Sequence, residues 1–114
     1  MTTVYGIKNC DTVKKALKWL DNNNIVYQFH DLRQDGITKT DLQQWTQCVD
    51  WEVLLNKRST TWRQLPDKDK NDLDVSKAIC LMLANPTLIK RPVIIKGKTT
   101  LVGFNDADYK KALN

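Results

Sequence analysis

A chain of 114 residues with 41% hydrophobic and 27% charged residues has the balance of one folded domain rather than a disordered segment, and no apolar run in it approaches the roughly 20 residues of a membrane span. Its 18 Lys and Arg are scattered among 13 Asp and Glu, so the formal charge of +5 fits solvated faces and a local anionic substrate, and no direct contact with nucleic acid is expected. Three cysteines, Cys10, Cys48 and Cys80, are odd in number, far apart and without metal-ligand spacing; with no basic and then apolar leader, a metal-free monomer of the reducing cytoplasm is expected.

The segment from Thr2 to Ile7 reads as a short strand and Asp11 to Leu20 as a helix, so Cys10 stands where the strand hands over to the helix. The free N–H groups of a first helical turn and the positive end of its dipole favour an anion there, which stabilises a thiolate and lowers its pKa. Lys8 and Lys14 flank Cys10 and are expected to push the same way. The same cysteine also reads as a small apolar side chain under a loop. Asp21 to Asn24 stops the helix and Ile25 to Phe29 starts a second strand, a unit that predicts a right-handed parallel crossover. His30, the one histidine, ends that strand and reads as an ordinary strand-end residue, since a zinc site or a Cys-His pair would have to be built around it alone.

In the middle of the chain Thr38 is a helix cap ahead of Leu42 and Trp45 at helical spacing, and a short segment follows from Trp51 to Leu55. Asn56 to Arg63 is polar, Pro66 marks another entry, and Asp74 to Ala84 carries Val75, Ala78, Ile79, Met82 and Leu83 on one stripe. Cys80, beside that stripe, is expected in or near the core, and Cys48 at a helix end.

Pro92 to Lys96 reads as a strand, Gly97-Lys98 as a two-residue hairpin turn, Thr99 to Val102 as the return strand, and a helix capped by Asn105 or Asp106 runs to about Leu113. The order predicts an α/β protein: one thioredoxin-like domain over residues 1–114, a mixed four-stranded sheet flanked by helices, with a helical insertion at about residues 37–84.

Four segments, Tyr5 to Ala16, Lys57 to Trp62, Leu88 to Val93 and Leu101 to Phe104, together resemble the arsenate reductase (ArsC)-like family, and within it the YffB branch, which is related to the Spx transcriptional regulators. The resemblance implies that Cys10 is the nucleophile and that glutathione, with glutaredoxin, resolves its adduct, so that glutathione is a co-substrate and no bound cofactor is needed. It also implies that Arg91 holds an anionic group, for which a guanidinium is suited by its paired donors and permanent charge, and that Pro92 carries a cis peptide bond. Two positions depart from the arsenate reductases: Leu54-Leu55 is followed by Asn56, which leaves Arg58 as the nearest arginine, and Gly103 stands where those enzymes have arginine. Val13 stands where many of the regulators have the second cysteine of a Cys-x-x-Cys switch. The expectation is therefore a glutathione-dependent thiol reductase with Cys10 as nucleophile and Arg58, Arg91 and Pro92 at the substrate. A regulator that binds an RNA polymerase subunit without a disulfide switch is the alternative, and arsenate reduction ranks third.

Overall fold

In the computed structural model, which describes residues 2–113, the chain divides into two compact units, Met1–Gly36 with Arg91–Asn114 and Ile37–Lys90. The first is built on four strands, β1 (Thr2–Gly6), β2 (Tyr27–Asp31), β3 (Val93–Lys96) and β4 (Thr99–Val102), in the order β2-β1-β3-β4. β1 runs parallel to β2 and antiparallel to β3, and β3 and β4 form the expected hairpin, with Lys96 opposite Thr99 across Gly97-Lys98.

A parallel neighbour demands a crossover, and α1 (Asp11–Asn22) supplies it. Val13, Ala16 and Leu20 recur at helical spacing and are all buried. With Val4, Ile94 and, from α7 (Asp106–Leu113), Tyr109 and Leu113, Ala16 and Leu20 form the core of this unit. Full burial of each large aliphatic side chain contributes about 1.5–3 kcal/mol, so this cluster holds the sheet to α1, the helix that Cys10 caps.

β2 begins at Tyr27 rather than Ile25. The Ile25 N–H is spent on Leu20 O at 2.9 Å, and Asn24 adopts a left-handed φ of 57°, so residues 24 to 26 close the helix before the strand can start. Past the other end of β2, Asp31 Oδ1 accepts from Arg33 N–H at 2.8 Å and Gln34 N–H at 3.1 Å. The Gln34 N–H is the main reason its carboxyl lies below the usual range; burial opposes this, and the Arg33 N–H and the charges of Lys8 and Arg33 assist it.

Gly6, the last residue of β1, stands where α1 passes close by. A Cβ at Gly6 would lie 2.9 Å from Val13 Cγ2 and 3.1 Å from Cγ1, and a β-branched side chain in a helix cannot turn away. Gly6→Ala is expected to destabilise the protein by about 1–3 kcal/mol through overpacking, read as a lower urea midpoint with unchanged slope.

The second unit contains α2 (Lys39–Cys48), α3 (Trp51–Leu54), α4 (Thr60–Gln64), α5 (Asp67–Lys70), α6 (Val75–Ala84) and a 3-10 turn at Pro86–Leu88. Side-chain caps mark four of the starts: Thr38 forms a capping box with Asp41, and Asp50, Ser59 and Asp74 each accept from a first-turn N–H. The unit extends beyond α6 to Lys90 because Leu55 bridges to Ile89, with Asn56 N–H on Leu88 O at 2.7 Å and Lys90 N–H on Leu54 O at 2.8 Å.

Ser59 starts a helix inside the polar 56–63 stretch, where its Oγ accepts from Trp62 N–H at 3.1 Å. One expectation is corrected here. Cys80 is exposed, not core: α6 buries Ala78, Ile79 and Met82, and at 100° per residue position 80 falls on the opposite face, while Val75 and Leu83 are 42% and 37% exposed.

Candidate active site

Cys10 is the N-cap of α1. Its backbone is extended (φ −99°, ψ 123°), its N–H donates to Ile7 O at 3.2 Å, and its carbonyl accepts from Lys14 N–H at 3.0 Å, so the turn from β1 into the helix is closed on both sides of the thiol. A side chain at an N-cap faces the N–H groups of the second and third helical residues, here Thr12 and Val13. The thiol closes no short cap hydrogen bond with them, but both N–H groups act on it as donors.

Burial pushes the half-buried Cys10 thiol up, but it is outweighed. The Val13 N–H, the hydrogen bond and charge of the Arg91 guanidinium, and the Thr12 N–H together hold the thiol below its ordinary value. The side-chain cation acting here is Arg91 rather than the flanking lysines: Lys8 is exposed and acts on Asp31, and Lys14 is exposed on α1.

Arg91 stands just ahead of β3, half-buried with its Nε enclosed, and the Arg91–Pro92 peptide is cis. Pro92 is buried, and its carbonyl accepts from Gly103 N–H at 2.8 Å, extending the β3–β4 hairpin by one residue. Gly103 has φ +78°, a left-handed conformation that disfavours any side chain there, although a Cβ would meet no atom within 4 Å. Its carbonyl accepts from Tyr109 Oη at 2.6 Å. Cys10, Arg91 and Pro92 thus come together in the sheet-bearing unit. The Thr12 and Val13 N–H groups are those of the first helical turn expected to favour an anion at Cys10, whereas the Tyr109–Gly103–Pro92 chain is an addition that no side-chain motif signals.

Arg58 belongs to the helical unit. It is exposed on the turn before α4, with its N–H on Asn56 Oδ1 at 3.1 Å. Together with Lys57, Lys90, Asn56, Leu55 and Glu52 it lines a basic depression of about 310 Å³. His30 is committed elsewhere, its Nε2 2.6 Å from Gly36 O and its ring 4.7 Å from that of Tyr5. Cys48 ends α2 and is exposed. Among the described residues no group of three or more His, Cys, Asp or Glu could hold a metal ion, and no helix is long and apolar enough to cross a membrane.

A model of the ArsC family matches residues 5–112. Similar proteins include an uncharacterised protein of Haemophilus influenzae, 54% identical over 112 residues and aligned over 98% of each chain. The global transcriptional regulator Spx of Streptococcus mutans is 29% identical over 115 residues, which cover 99% of this chain and 83% of that protein. Among solved structures, the YffB protein superposes with a TM-score of 0.97 at 47% identity, covering 100% of both chains. The mixed four-stranded sheet with its helices is thus of the thioredoxin-like kind that the strand order predicts. Because the family match runs from β1 into α7 and takes in Cys10, Arg91 and Pro92 alike, the chain belongs to the ArsC family.

Proposed function

We propose that this protein is a glutathione-dependent thiol oxidoreductase of the cytoplasm in which Cys10 is the nucleophile. The observation that carries the reading is the thiol at the N-cap of α1, held below its ordinary pKa by backbone N–H groups and by Arg91 against the effect of its own burial. An activated nucleophile of this kind needs no bound cofactor.

In the forward cycle the Cys10 thiolate attacks one sulfur of a disulfide. The S–S bond breaks, the leaving sulfur departs as a thiolate and takes a proton, and Cys10 is left in a mixed disulfide. A first glutathione thiolate, free or delivered through glutaredoxin, attacks the Cys10 sulfur of that mixed disulfide; the substrate's second sulfur leaves as a thiolate and takes a proton, and Cys10 is left bonded to glutathione. A second glutathione thiolate attacks the glutathione sulfur of that bond, so that Cys10 returns as thiolate, the substrate disulfide has gained two electrons, and the two glutathiones end as their disulfide. Arg91 stabilises the thiolate as attacking and as leaving group, with Pro92 shaping the backbone beside it. Arg58 is assigned to an anionic group at the basic depression it shares with Lys57 and Lys90.

The test is the pH dependence of Cys10 alkylation, with peptide mapping to separate it from the exposed Cys48 and Cys80, and a parallel incubation with oxidised glutathione. A rate midpoint below the free-thiol value of about 8.5, with the glutathione adduct on Cys10 alone, is the expected result. A midpoint at that value and no selective adduct would overturn the reading.

The alignment to Spx over 99% of the chain favours a second reading, in which the fold docks on an RNA polymerase subunit and the thiol is dispensable. A reduced complex with such a subunit that survives loss of the Cys10 thiol would support it.

A further inference from the structure

Tyr109 is 1% exposed, with Trp19 and Phe104 edge-on to its ring at 5.4 and 5.2 Å. A hydroxyl in such surroundings needs a partner, and this one donates to Gly103 O at 2.6 Å. The left-handed backbone of Gly103 lets the same residue direct its N–H elsewhere, to Pro92 O at 2.8 Å. Pro92 is joined directly to Arg91. A continuous chain of bonds therefore runs from the interior of α7 through Gly103 to the segment that carries the guanidinium.

We propose that Tyr109 is a positioning residue for the Cys10 site: its hydroxyl fixes Gly103, and through it the Arg91–Pro92 segment, so that the Arg91 guanidinium stays aimed at the thiol. The inference rests on the reading of Cys10 as an activated nucleophile. It goes further by giving a residue with no contact to the reacting atoms a specific part in that activation. Burial pushes the Tyr109 hydroxyl up, so it remains a donor throughout the range in which the thiol titrates. Of the charged groups around the two ends of the chain, Arg91 acts on the thiol, Lys8, Asp11 and Lys14 are exposed beside it, and Asp106 and Asp108 are exposed on α7, with Asp106 accepting from the Trp19 indole at 2.5 Å.

Phenylalanine keeps the ring and its packing while removing only the hydroxyl, so Tyr109→Phe separates positioning from core filling. The pH profile of Cys10 alkylation, read by peptide mapping on the reduced full chain, is compared for wild type, Tyr109→Phe, Arg91→Ala and the double variant. Tyr109→Phe is expected to move the Cys10 midpoint upward by roughly half the shift of Arg91→Ala, and the double variant to move it no further than Arg91→Ala alone, because coupled residues are not additive. Leu113→Ala, in the same core but with an aliphatic side chain, is the control: it is expected to lower the unfolding midpoint and leave the thiol midpoint in place. A low wild-type midpoint unchanged in Tyr109→Phe, or moved equally by Leu113→Ala, would overturn the positioning role alone. A wild-type midpoint at the free-thiol value would remove the activated thiol and the positioning role together.

Discussion

Cys10→Ser is expected to abolish glutathionylation by oxidised glutathione and all turnover that passes through a mixed disulfide, while stability stays level or rises. The chemical half follows from the nucleophile. A serine hydroxyl ionises far above any working pH and forms no disulfide, and neither Cys48 nor Cys80 occupies a helix N-cap from which to replace it. The stability half follows from the position. Cys10 caps α1 without a short side-chain hydrogen bond, whereas serine is among the preferred N-cap residues and its Oγ can accept from Val13 N–H; a gain of up to about 1 kcal/mol is expected. A coupled assay of glutathione disulfide formation reads the first effect, and urea unfolding at a pH below the folded-state value of the thiol, where no thiolate contribution is lost with it, reads the second. Full turnover in Cys10→Ser would overturn the reductase reading, and a polymerase-subunit complex retained by the same variant would move the function to the regulator reading. An inactive and unfolded variant would contradict the account of the cap.

The fold was most legible where a strong period met a clear stop. β1, α1 and the β3–β4 hairpin follow from alternation, from the Val13, Ala16 and Leu20 spacing, and from Gly97-Lys98. α4, of five residues, was hidden because a helix of one turn is too short for a period and a cap such as Ser59 is one polar residue among several, whereas Pro66 marked the entry to the four-residue α5. The early start expected for β2 failed for a different reason. Ile25 has strand propensity and does reach the core, but its N–H closes α1, so local propensity lost to the need to satisfy a helix end.

Legibility of the site divides in the same way. Cys10 could be singled out from local order alone, because a strand-to-helix junction fixes where the N–H groups and the dipole point. Arg91 could not: it lies far along the chain, and only the family resemblance linked it to Cys10. The flanking lysines misled because adjacency in sequence says nothing of side-chain direction; Lys8 acts on Asp31 across the β1–β2 pairing, where Gly6 stands opposite Asp31. Gly103 was visible as a departure from the arsenate reductases. Its service as the link between Pro92 and Tyr109 depends on a backbone torsion that no residue pattern announces.

Arg91→Ala tests the electrostatic half of the site, and its signature is a crossing of two pH–rate profiles rather than a simple loss. The guanidinium lowers the Cys10 thiol through a hydrogen bond and its charge, so its removal is expected to raise the midpoint. The higher-pKa thiolate is also the stronger nucleophile, with a Brønsted slope of about 0.4–0.5. Near pH 7 the variant therefore loses more in thiolate than it regains in reactivity, a net slowing, whereas well above pH 9, where both thiols are ionised, it alkylates faster than wild type. A steric or folding defect would lower the rate at every pH and produce no crossing. Stability gives an independent check. A thiol whose pKa is depressed in the folded state contributes stability that is fully present above its unfolded value of about 8.5 and is lost as pH falls through the folded value. In that window the reduced wild type is expected to gain stability with rising pH, and Arg91→Ala is expected to flatten the gain, leaving only the part owed to the Val13 and Thr12 N–H groups. Urea midpoints at pH 6 and 9 under reducing conditions measure the difference; the same slope in both proteins would remove Arg91 from the thiolate's environment and leave the helix N-terminus as the sole activator.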